Sequence, residues 1–229
     1  MTWTPDLLRW RQEYEQYEQE SLTKDLDMGR YASDSGNKEF QQLTPGTHLA
    51  RCYSIVDLGV QRGEYQGSPT VRNQIVVRWE VPGETIEIDG EAKPLTISRF
   101  YTNSLNEKST LRHDLVAWRG REFTAEELMK FDLENILGKA CLLTVAHNDK
   151  GKARVLAVSG LAKGMTCPPQ YNPSEVFWLD EWDQAKFDAL PEGFQRIIKE
   201  SDEYKARVAG KQSPSKATAD DEFEDSIPF

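Results

Sequence analysis

Residues 139–159, KACLLTVAHNDKGKARVLAVS, hold two apolar-rich runs around a polar turn. The first run, 139–147, and the second, 152–159, are rich in β-branched and apolar side chains. Between them, Asn148, Asp149, Lys150 and Gly151 are the residue types that turn a chain back on itself. This stretch therefore reads as a β-hairpin, and what precedes it decides the fold.

Upstream the period is helical. Leu105, Leu111, Leu115 and Trp118 fit one helix face from about 104 to 119. A second helix begins after Phe123, where Thr124 and Glu127 have the spacing of a capping box; it runs to about Leu137 and stops at Gly138. Before these helices come three more strand signals. They are 46–58 (GTHLARCYSIVDL), 74–81 (QIVVRWEV, with Ile75, Val77, Trp79 and Val81 on one face) and 94–101 (PLTISRFY, with Leu95, Ile97 and Tyr101). A Gly- and Pro-containing loop is expected over 59–71. The order β-β-β-α-β-β is that of a five-stranded OB-fold barrel with a helical insertion between strands 3 and 4, an order that unrelated five-stranded barrels can share.

Four regions follow. Residues 1–45 read as an N-terminal helix (5–28, with Pro5 suited to the first turn) and a linker. Residues 46–165 read as the barrel. Residues 166–208 read as a C-terminal helical extension interrupted at Pro191, and 209–229 as a disordered linker and acidic tip. The class is α+β overall.

Net charge divides unevenly along the chain. The whole is −10, but 1–45 carry −4, 46–165 carry +1 and 166–229 carry −7. The core is thus near neutral, and a nucleic-acid partner is not excluded by the total. No run approaches the length of apolar sequence that crosses a membrane, and the first residues lack the apolar stretch of a secretory signal. Cys52, Cys141 and Cys167 have neither disulfide nor zinc spacing and read as buried or idle thiols of a reducing cytosol.

The last ten residues, DDEFEDSIPF, combine Asp220, Asp221, Glu222, Glu224 and Asp225 with Phe223, Ile227, Pro228 and Phe229. An acidic run closing on apolar residues has the chemistry of a docking peptide for a basic, apolar pocket. It resembles the C-terminal tip of bacterial single-stranded DNA-binding proteins. The stretch 99–145, most specifically NEKSTLRHDLVAWRGR, together with 46–61 and 187–204, resembles phage- and prophage-encoded single-stranded DNA-binding replication proteins. That resemblance implies an OB-fold core coating single-stranded DNA in phage replication or recombination, in the cytoplasm of a bacterial host. The tip would recruit replication and recombination proteins and compete weakly with DNA for the core. No cofactor or metal is implied, and whether copies associate is left open.

Such binding needs cations for phosphates and aromatic faces for bases. In an OB-fold these come from strands 2 and 3 and from the loops joining strands 1–2 and 4–5. The candidates there are Arg62, Tyr65 and Arg72 in the first loop, Arg78 on strand 2, and Arg99, Phe100 and Tyr101 on strand 3. The other loop adds Lys150, Lys152 and Arg154. Tyr65, between glycines, is the leading stacking residue, whereas Trp79 and Trp118 are expected in the core. Lys108 and Arg112, with Arg119 and Arg121, extend the basic track or pair with Glu107, Asp114 and Glu122. The chain is read as a non-enzyme: it lacks a P-loop, and its three histidines are isolated. Asp89, Glu91 and Lys93 form a D-x-E-x-K string found in metal nucleases, but they fall in a turn. The alternatives are an adaptor that binds proteins only and, behind it, a metal-dependent nuclease.

Overall fold

The computed structural model describes residues 41–65 and 67–212. The expected helix over 5–28, the linker up to residue 40 and the acidic segment 220–229 lie outside the described residues.

Alternating β-branched and aromatic residues build long antiparallel strands here. β1 (Gly46–Tyr65) and β2 (Ser68–Ile88) run well past the apolar cores that announce them, and β3 (Glu91–Thr102) follows β2 through a two-residue turn. Asp89 and Gly90 hold φ values of 56° and 80° in that turn, the pair of left-handed residues a tight hairpin needs. The loop expected over 59–71 is instead a β1–β2 hairpin arm, in register from Gln61↔Arg72 to Tyr65↔Ser68. Its mostly polar sequence hid the pairing, because an exposed two-stranded arm has no buried face to impose alternation.

β4 (Ala140–His147) and β5 (Ala153–Ser159) form the second hairpin, as read from the opening stretch. A short β6 (Glu175–Phe177) pairs parallel with β1. The strand order is β3-β2-β1-β4-β5, with β6 beside β1, and the sheet is not closed by hydrogen bonds. The free edges of β3 and β5 nevertheless lie near each other, and the Arg99 Nη1 donates to the Leu156 carbonyl across the gap at 3.1 Å.

Between β3 and β4 come α1 (Thr110–Arg119), α2 (Ala125–Met129) and a 3₁₀ turn (Leu133–Ile136). α1 starts later than expected because Ser109 caps it, accepting from the Arg112 N–H. The second expected helix breaks in two. Thr124 and Glu127 form the reciprocal capping box, but α2 lasts five residues before Asp132 starts the 3₁₀ turn. The C-terminal extension forms α3 (Gln184–Ala189), α4 (Glu192–Glu200) and α5 (Asp202–Gln212), broken at Pro191 as read. α5 runs about four residues into the expected linker.

Both faces of the β1–β2 region are covered. On the inner face Ile55, Ile75, Val77 and Trp79 pack with Leu111 and Leu115 of α1 and with Leu133 and Ile136. On the outer face Val56, Leu58 and Val76 pack under Phe177, Phe187, Leu190 and Ile198. Trp79 is buried, as read, and Trp118 is half-buried against the inner cluster. Cys52 and Cys141 are buried and Cys167 is half-buried, all free, and burial pushes the thiols of the first two up.

A cross-strand pair pins the segment that leads to this extension. Arg51 and Glu80 are partners on β1 and β2. Arg51 donates to the carbonyls of Cys167 and Pro168, at 3.2 and 2.8 Å. The fully buried Glu80 accepts from the N–H groups of Tyr171 and Asn172, both at 2.8 Å, and from Asn172 Nδ2 at 2.7 Å. Further along, Glu203 on α5 accepts from the Val60 N–H at 2.8 Å beside Gly59, whose φ is 73°. Among the described residues, no helix is long and apolar enough to cross a membrane.

Candidate functional site

Twelve side chains in 46–165 were expected to form one basic, aromatic surface. The structure gathers six of them around an open groove of about 590 Å³ where β2, β3 and the start of β5 meet the N-terminal end of α1. They are Arg72, Arg99, Phe100, Tyr101, Lys108 and Arg154; Gln74 and the Ser109 and Thr110 hydroxyl residues complete the wall. No carboxylate lines it. Arg72, Lys108 and Arg154 are exposed and have no ion-pair partner among the described residues.

Strand alternation sorts β3. Phe100 points outward, paired with Val76, and is 48% exposed, with one edge against Phe194 of α4. Arg99 and Tyr101 share the opposite parity with Leu95 and Ile97, so they turn toward α1. There Asp114 collects both: its Oδ2 accepts from Arg99 Nη1 at 2.8 Å and from the Tyr101 hydroxyl at 2.7 Å, and it also takes the Val158 N–H. Burial holds the Asp114 carboxyl above its ordinary value, against the pull of Tyr101 and Arg99. Burial, and the Asp114 charge beside it, push the Tyr101 hydroxyl up. One carboxylate thus ties β3, α1 and β5 together behind the groove.

This geometry corrects the role expected of Tyr101. At 4% exposure, with its hydroxyl committed to Asp114, it is the groove's floor and offers no face for stacking. Arg78 is corrected too. It points away from Trp79 as alternation requires, but the outer face there is covered. Its guanidinium lies 4.9 Å from the Tyr53 ring centre and 5.7 Å from that of Phe194, with Glu175 at 3.6 Å. Arg62 lies apart from the groove, paired with Asp202 of α5 at 2.7 Å. The Asp202 carboxylate holds the Arg62 guanidinium's pKa up through hydrogen bonding and charge.

Arg112 is half-buried, 3.8 Å from Glu122. Lys108 lies before α1 rather than on it, so the two do not share a helix face. Lys150 and Lys152 are exposed at the β4–β5 turn, their backbone N–H groups on Asn148 Oδ1. Tyr65 ends β1 at the tip of the hairpin arm, and its side chain lies outside the described residues, as does the whole tip 220–229. The D-x-E-x-K string sits in the β2–β3 hairpin as expected, with Lys93 3.9 Å from Glu91. Among the described residues no group of three or more His, Cys, Asp or Glu is placed to hold a metal ion.

Asp114, the residue that organises the groove, enters the sequence reading only as one candidate partner, beside Glu107 and Glu122, for Lys108, Arg112, Arg119 and Arg121. The signal that finds it is the parity of Arg99: a cation aligned with Leu95 and Ile97 must meet an acid on the element that covers them. No protein-family model matches the chain, and no curated protein matches it.

Proposed function

We propose that this chain is a non-catalytic, sequence-tolerant single-stranded DNA-binding protein with an OB-type core, which coats and protects DNA in phage replication or recombination. The observation that carries the reading is the groove. Among the described residues, three cations without an ion-pair partner and an exposed Phe100 surround a cleft whose walls hold no acid. Phosphates would be held by Arg72, Lys108 and Arg154, and a base would stack on Phe100, in the manner of sequence-tolerant binders. The β3-β2-β1-β4-β5 order, with β3 and β5 edges adjacent, supports the OB reading, whose binding surface is built on strands 2 and 3 and the flanking loops. Lys150, Lys152 and Tyr65 stand on those loops.

On this reading the acidic segment 220–229 recruits replication or recombination proteins, and the place of action is the bacterial cytoplasm. Such a role calls for no cofactor, since binding alone does the work.

The test is a titration of the full-length protein with labelled oligo-dT and with duplex DNA, read by fluorescence anisotropy. Saturable binding of the single strand alone is expected. Phe100→Ala should weaken it by about fivefold to about a hundredfold, the range of one base–aromatic stack of about 1–3 kcal/mol. No binding of either DNA, with and without 220–229, would overturn the proposal and leave an adaptor.

A further inference from the structure

A second basic cleft lies at the other end of α1. It has a volume of about 550 Å³ and its walls include Trp118, Phe131, Arg119, Arg121 and Lys139. Arg119 lies against an edge-to-face pair of rings, 4.3 Å from the Phe123 centre and 5.0 Å from that of Phe131. Its Nη2 reaches Glu127, and its Nη1 is buried with no hydrogen-bond partner among the described residues. A guanidinium nitrogen out of water and without an acceptor costs free energy.

Glu127 does not supply that acceptor. Its oxygens are taken by Arg119, by Arg121 at 2.7 and 3.0 Å, and by the Thr124 N–H at 3.0 Å. Lys139 is exposed and has no ion-pair partner among the described residues. The cleft therefore carries surplus positive charge over an aromatic and aliphatic floor, which suits a ligand that is anionic at one end and flat and apolar at the other.

We infer that this cleft is a second contact for the same nucleic-acid strand, taking a nucleotide beyond those held in the groove. The inference rests on the single-stranded DNA reading of that groove. Continuity favours a nucleotide over an acidic peptide. The groove ends on Ala153–Val155 of β5 and on Ser109 and Thr110; the cleft ends on Gly160 and Leu161 and on Trp118. β5 and α1 thus connect the two. Neither presents an acid to solvent, because Asp114, the one carboxylate on either element, faces the seam with β3. The separation is about 14 Å along α1 at about 1.5 Å per residue, or about 23 Å along β5 at about 3.3 Å. At about 3.4 Å per nucleotide a stacked strand covers that distance in about four to seven nucleotides. A short oligonucleotide fills the groove only, whereas a long one reaches both.

The experiment compares oligo-dT of about three nucleotides, too short to span the two sites, with oligo-dT of about twenty, longer than the site of a single OB domain, on the full chain and on Lys139→Glu and Arg154→Glu. Lys139→Glu should weaken the long oligonucleotide by about fivefold at about 0.1 M salt, the worth of one single-strand phosphate contact, and leave the short one unchanged. Arg154→Glu should weaken both. If Lys139→Glu changes neither length, or both equally, while Arg154→Glu weakens both, the second contact is overturned and the groove stands. If neither variant matters at either length, the groove reading falls with it. Binding of a peptide carrying residues 220–229 that Lys139→Glu abolishes, with long-oligonucleotide affinity unchanged, overturns the nucleotide in favour of an acidic partner.

Discussion

Removing the three exposed cations of the groove should flatten the salt dependence of DNA binding by a calculable amount. For a single strand, each neutralised phosphate contributes about −0.7 to the slope of log K against log salt. Arg72, Lys108 and Arg154 together therefore supply about −2.1, and raising salt from about 50 to about 200 mM should cost about twentyfold in affinity through the groove alone. Arg99 is left out because Asp114 already holds it at 2.8 Å. The assay is anisotropy of a labelled oligo-dT of about three nucleotides, too short to reach the second cleft, at four salt concentrations. Each single alanine variant should reduce the slope by about 0.7, and Arg72→Ala/Lys108→Ala/Arg154→Ala should bring it near zero. Arg62→Ala is the control, since Arg62 pairs with Asp202 away from the groove. If the triple variant keeps the parent slope, or if Arg62→Ala flattens it as much as Arg154→Ala does, the groove is not where phosphates bind.

Three further expectations concern the frame. Glu80→Ala removes an acceptor from three donors, and with hydrogen bonds to a charged group worth about 1.5–3 kcal/mol each, offset by rehydration of the loop, it should cost about 2–5 kcal/mol in urea unfolding; a loss below about 0.5 kcal/mol, the size of an ordinary surface change, would contradict the anchoring of 167–172. Gly59→Ala places a Cβ 2.6 Å from both Glu203 Oε2 and Leu179 Cδ1 at a φ of 73°. It should destabilise by about 1–3 kcal/mol and speed hydrogen exchange at the Val60 amide; unchanged exchange would mean that Glu203 of α5 does not hold that amide. The Glu127 carboxyl, held down by hydrogen bonds from Arg121 and the Thr124 N–H, should titrate by NMR at about 2 rather than at 4.5. Because that value is lowered in the folded state, the stability it contributes is present above 4.5 and lost as pH falls through about 2, and Arg121→Ala should move the midpoint upward.

What could be read in advance depended on how local the cause was. The 139–159 hairpin, the α1 stripe, the Thr124–Glu127 box and the break at Pro191 all follow from residues within a turn or two of each other. The strand lengths were less legible: the arm beyond Gly59 is polar on both sides and is held by pairing alone. Arg99, Phe100 and Tyr101 were offered together on β3, although its parity separates Phe100 from the other two. Arg78 was placed on the outer face by the same rule, and that was right, but the rule is silent about what lies on that face. Phe194 and Glu175 arrive there from about a hundred residues later in the chain, a long-range docking that no periodicity encodes. Tyr101 had the opposite problem. Its ring belonged to the apolar parity of β3, and its basic neighbours made it look like a binding residue.

The Arg51–Glu80 pair also bears on the order in which the molecule assembles. Both side chains face the 167–172 segment only when β1 and β2 are correctly registered, because a slip of one residue on either strand turns that strand's member to the opposite face. The clamp therefore acts as a checkpoint: helices α3 to α5, made after the sheet, find their seat only on strands that have already paired properly. A mispaired sheet would keep its outer apolar face bare and be sorted toward chaperones or proteases before the C-terminal helices could conceal the error.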